Sequence, residues 1–117
     1  MSNTTFAAAA GAILLAHLAA LGWGIWRSGR VMLWLNAVVA AGAIGALILQ
    51  HPGLAWGGDT PLQALLGFEV VVLALAAMAL RGVPVAWWLS MAGFALHLCA
   101  AAGMLVFALT FRITRLF

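Results

Sequence analysis

Four apolar stretches, each about 19 to 26 residues long and separated by short polar breaks, leave this chain few ways to fold. Crossing the hydrocarbon of a bilayer takes roughly 20 helical residues at about 1.5 Å rise per residue. The stretches run from about Phe6 to Trp26, Val31 to Gln50, Leu62 to Leu80 and Val85 to Thr110. Each is long enough to span, and almost no charge interrupts any of them. The breaks are Arg27-Ser28-Gly29-Arg30, residues 51–61 and Arg81-Gly82-Val83-Pro84. The middle break holds two prolines and three glycines, which exclude a continuous helix there. Short turns make neighbouring helices antiparallel. The expected architecture is one all-α integral membrane domain over residues 1–117, an antiparallel bundle of four transmembrane helices.

Composition removes the alternatives. Apolar types make up 68% of the chain and charged types 6%, whereas soluble domains carry about 25% charged residues. Lipid is therefore the expected main solvent. The net charge of +3 comes from arginines near the ends of the apolar runs, where guanidinium groups reach headgroups. No basic patch with interleaved aromatics suggests nucleic-acid binding. The lone Cys99 lies within an apolar run and cannot form an intrachain disulfide. Met1 to Phe6 has no basic segment, so the first run is read as a retained span rather than a signal peptide. Six tryptophans at 23, 26, 34, 56, 87 and 88 lie near run ends, as an interfacial belt requires.

Orientation follows from the arginines. Arg27, Arg30 and Arg81 mark one side; Arg112 and Arg115 mark the side that holds both termini and the long break. The positive-inside rule places both termini on the non-cytoplasmic side, with a bacterial inner membrane as the expected location. Small residues recur at helical spacing: Ala37, Ala41 and Gly45 on the second helix, and Gly93, His97 and Ala101 on the fourth. Both stripes are read as packing faces inside the bundle, with an interface to another subunit as the alternative.

Ionisable residues within a span are expensive and raise a functional hypothesis. His17 lies ten residues before Arg27, Glu69 twelve before Arg81, and His97 thirteen after Pro84. At about 1.5 Å per residue these are depths of roughly 15, 18 and 20 Å, near the middle of a layer about 30 Å thick. The three groups therefore share one layer on three helices. An ionised Glu69 facing lipid would be costly, so it should face inward and pair with a histidine or carry a proton. Asn36 and Gln50 lie fourteen residues apart, roughly on one face of the second helix, and are expected to hydrogen-bond within the membrane.

Several chemistries fit this set. The blandest is a polar network that fixes helix register. His17 and His97 are candidate axial ligands for haem b, and Glu69 is a candidate proton-handling group with a histidine as relay. A two-histidine, one-carboxylate metal site is geometrically feasible, with no metal indicated. His51, before Pro52, reads as a surface residue, and Asp59 before Thr60-Pro61 as a helix start. Ser28 has no nucleophile motif around it, and no phosphate loop, zinc spacing or nucleotide fingerprint occurs.

The loops between helices are too short for a soluble catalytic domain, so the chain is not expected to be an enzyme on its own. The leading expectation is a small subunit or accessory protein of a larger membrane complex, respiratory or otherwise redox. The alternatives are a proton-coupled small transporter or channel, and a haem b electron-transfer protein. Partners are the lipid bilayer and either other membrane subunits or further copies of the chain.

Overall fold

A computed structural model describes the backbone of residues 3–116 and the side chains of residues 4–110. It contains four long helices: α1 (Asn3–Trp26), α2 (Arg30–Gln50), α3 (Thr60–Leu80) and α4 (Pro84–Leu116). One 3-10 turn, Leu54–Trp56, lies between α2 and α3, and there is no strand among the described residues. All four helices are long and apolar enough to cross a membrane. The all-α, four-helix membrane bundle is thus the fold.

The helix ends follow local chemistry. Asp59 caps α3, its Oδ1 accepting from the Leu62 N–H at 3.1 Å, with Pro61 in the first turn. The helix begins at Thr60, two residues before the apolar run, because the cap belongs to the helix as much as the run does. The Gln63 side chain donates to the Leu54 carbonyl at 2.9 Å and ties the loop to α3. Gly82 ends α3 with φ +92°, a left-handed turn suited to glycine. α4 continues past the expected Thr110 to Leu116. The side chains of Arg112 and Arg115 lie outside the described ones.

α1 packs on α2 and α4, and α3 packs on the same two helices. α2 and α4 also touch each other, whereas α1 and α3 make no contact among the described residues. The bundle is therefore a flattened rhomb with α2 and α4 on its short diagonal. One buried apolar cluster adjoins the two short turns. There Leu33, Ala79 and Ala86 are buried together, with Leu75, Trp87 and Met91 packed around them. The Trp87 indole lies against Gly29, 3.4 Å from where a Cβ would stand.

One expected packing face is corrected. On α2 the buried residues are Leu33, Asn36 and Ala40, not the stripe Ala37, Ala41 and Gly45. Ala41 is exposed, and nothing lies within 4 Å of a Cβ built on Gly45. Small side chains sit on several faces of this helix, so spacing alone could not choose among them; the polar Asn36 selects the inward face. On α4 the stripe Gly93, His97 and Ala101 is buried as expected. Gly93 allows a close approach, since an added Cβ would stand 3.2 Å from Val72 of α3 and 3.5 Å from the Asn36 amide nitrogen of α2.

A candidate proton site at the bundle centre

On α3 the buried residues are Glu69, Val72, Ala76 and Ala79, a 3–4–3 spacing that turns one helical stripe inward. This stripe sets Glu69 against α4. His97 lies on α4's own inward stripe with Ser90, Gly93 and Ala101. Its Nε2 is 2.9 and 3.0 Å from the two carboxylate oxygens of Glu69. Its Nδ1 is 2.7 Å from Asn36 Oδ1. Asn36 Nδ2 donates to the Ser90 carbonyl at 2.9 Å and lies 3.1 Å from the Ser90 hydroxyl. A polar chain Ser90–Asn36–His97–Glu69 thus joins α2, α3 and α4. Its members are all but removed from solvent: Asn36 and Ser90 are 0% exposed, Glu69 5% and His97 7%.

The hydrogen-bond directions follow from the chemistry of the groups. The Ser90 carbonyl can only accept, so Asn36 must turn its NH2 toward it. Asn36 Oδ1 then faces His97 Nδ1 and can only accept. His97 therefore carries a proton on Nδ1. Two states of the pair remain that keep every bond. Either an imidazolium donates from Nε2 to a carboxylate, or a protonated carboxyl donates to the Nε2 lone pair. Both are neutral overall and differ only in the position of one proton. A net-neutral, fully bonded pair is the form that a low-dielectric interior tolerates.

His17 reaches the same layer and does not join the chain. Its ring centroid is 6.2 Å from that of His97 and 5.0 Å from that of Phe94. Its Nδ1 donates to the Ile13 carbonyl one turn back, at 2.7 Å. Nε2 is then left as a lone pair, fully buried, with no hydrogen-bond partner. The three side chains thus lie in one neighbourhood of the bundle. The direct pairing involves Glu69 and His97 only.

A bis-histidine haem does not fit this arrangement. Both ring nitrogens of His97 are engaged, and ligation would require it to release Glu69 or Asn36. No group of three or more metal-ligating side chains occurs among the described residues. Gln50 is exposed at the end of α2, beside the loop, and lies apart from the polar chain. His51, also exposed, caps α2 through its backbone N–H. Ser90, Gly93 and Phe94 belong to the site and were not singled out as chemistry-bearing by the sequence. Ser90 and Phe94 share the i±3 and i±7 neighbourhood of His97, which is the signal that marks them.

A crevice of about 450 Å³ meets the pair. All four helices contribute to it, among them Ala10 and Ile13 of α1, Gly42 of α2, Phe68 of α3, and Ala100 and Met104 of α4. Each of these positions lies on the loop side of the pair, away from the arginine turns. Glu69 and His97 line it and, among the described residues, are its only ionisable lining residues. The crevice is the space that these residues of the four helices enclose on the loop side. No family model, curated protein or solved structure significantly matches this chain.

Proposed function

We propose that this protein is a small proton-coupled transporter or channel of a bacterial inner membrane, with both termini on the non-cytoplasmic side. Glu69 is its proton-carrying group and His97 the relay. The observation that supports this reading is the buried contact of His97 Nε2 with both Glu69 carboxylate oxygens, at 2.9 and 3.0 Å, on the wall of a crevice lined by all four helices. A network that served only to fix helix register has no need of a titratable carboxyl where an amide would bond equally well, nor of an open approach to it.

Reconstitution into liposomes with an internal pH-sensitive dye tests the proposal. Glu69→Gln is the decisive variant. Its amide N–H can donate to His97 Nε2 and keep the δ-protonated ring bonded, while removing the shared proton. The expected result is a folded variant with background proton flux. Wild-type flux from Glu69→Gln would overturn the reading.

The competing reading, a subunit of a larger membrane complex, is favoured by one observation. The longest connection between helices, residues 51–59, is nine residues and carries no domain with its own chemistry. Recovery of stoichiometric partner subunits in mild detergent, with no proton flux from the isolated chain, is the outcome that selects it.

A further inference from the structure

The polar groups around the crevice specify the kind of molecule it can hold. The walls are aliphatic and aromatic apart from Glu69 and His97. The proton shared by this pair is the only hydrogen that either group can offer a ligand, because His97 Nδ1 is committed to Asn36. Once that proton leaves, the pair offers acceptors alone: two carboxylate oxygens and the Nε2 lone pair. His17 Nε2, in the same layer and behind the His97 ring, is a buried lone pair that supplies no further donor. A neutral carbonyl ligand, which brings only acceptors, gains little in such surroundings. A molecule bringing N–H donors and one positive charge satisfies them.

We propose that the crevice binds a monovalent amphipathic amine, an ammonium group on an apolar body, in exchange for the single proton of the Glu69–His97 pair. The proposal rests on the proton-handling reading above and names its substrate class. The exchange balances. Before binding, the pair holds one proton and is neutral. The ammonium enters with its own three N–H bonds intact, and the shared proton departs to water. The carboxylate is then paired with the ammonium, and His97 is neutral and protonated on Nδ1. The site is neutral before and after, so no uncompensated charge is buried in either state. The groups facing Glu69 agree with this count. α4 presents His97, α2 presents Asn36 through His97, and α1 brings His17 to the His97 ring. Arg81, the next charge along α3, is twelve residues away, roughly 18 Å by helical rise. A volume of about 450 Å³ lies in the ordinary range for small-molecule sites, about 300–1,000 Å³.

The test is calorimetry on the purified full chain in detergent micelles, in two buffers of different ionisation heat. The probes are 4-phenylbutylamine and its neutral counterpart 4-phenylbutan-1-ol. The expected result is saturable amine binding with release of about one proton per amine, and alcohol binding weaker by about tenfold or more, the usual worth of a charge-assisted hydrogen bond. Glu69→Gln should remove both the binding and the proton release. Gly42→Leu, which places a side chain where nothing lies within 4 Å of the built Cβ, should block the amine while leaving the pair intact. It serves as the second variant if Glu69→Gln does not fold. Equal binding of amine and alcohol, amine binding without proton release, or unchanged binding in folded Gly42→Leu would each overturn the proposal. Glu69-dependent proton flux in liposomes without amine binding removes the substrate class and leaves the functional reading standing. Amine-linked proton release without flux in liposomes does the reverse.

Discussion

Asn36 controls the chemistry of the pair without touching Glu69. Its amide is fixed by Ser90, and through that it fixes which nitrogen of His97 carries a proton. Replacing Asn36 with Leu leaves the His97 Nδ1–H without an acceptor in a buried site. Such a loss costs about 1–3 kcal/mol. Denaturant titration in mixed micelles should show that destabilisation, and 15N chemical shifts of His97 should show a changed tautomer balance. A variant with wild-type shifts would mean that Asn36 does not set the tautomer. Part of this was legible in the sequence. The counting of depth brought Glu69, His97 and His17 into one layer, because helical rise is regular. Counted the same way, Asn36 lies six residues after Arg30, only about 9 Å in, too far toward the arginine turns to suggest a bond with His97. Depth counted along an axis omits helix tilt and side-chain reach, and the His97 ring leans toward the N-terminus of its own helix, where Asn36 stands.

Between elements, the decisive contact is the close approach at Gly93. Gly93→Ala puts a Cβ 3.2 Å from a Val72 methyl and 3.5 Å from the Asn36 amide. The Val72 side chain must give by a few tenths of an ångström in a buried seam, and overpacking of this kind costs about 1 kcal/mol. Gly42→Ala, which meets nothing within 4 Å, should be neutral or gain a few tenths of a kcal/mol from helix propensity. Thermal unfolding of the two variants in the same detergent checks the contrast; equal melting temperatures would refute it. The spans themselves were readable from apolar length, and the start of α3 from Asp59 and Pro61. The inward face of α2 was not, because alanine and glycine are scattered around that helix. Only the partner helices decide which of them is buried.

For the molecule as a whole, hydropathy and length were sufficient to name the fold, since a chain with this little charge has few alternatives. The crevice could not be read from it. It depends on how residues of all four helices are placed around the pair, a property of several elements together rather than of any one. Topology gives the remaining prediction. With both termini on the non-cytoplasmic side, Ser28→Cys in a Cys99→Ala background should resist a membrane-impermeant thiol reagent applied to intact cells. It should react after the cells are opened. Cys99 is exposed on α4, so its removal is needed for a clean reading. Efficient labelling of intact cells would reverse the orientation.

The shortness of the bond between His97 and Glu69 bears on how the protein would respond to an energised membrane. A full crossing by one charge at 100 mV is worth about 2.3 kcal/mol. A proton passing between Nε2 and a carboxylate oxygen 2.9 Å away traverses at most about a tenth of a hydrocarbon layer some 30 Å thick. Voltage can bias that hop by only about 0.2 kcal/mol, well under thermal energy. Any electrical sensitivity must therefore arise on the way in and out, where charge moves between the centre and the two surfaces, and the pair itself is a nearly voltage-blind station.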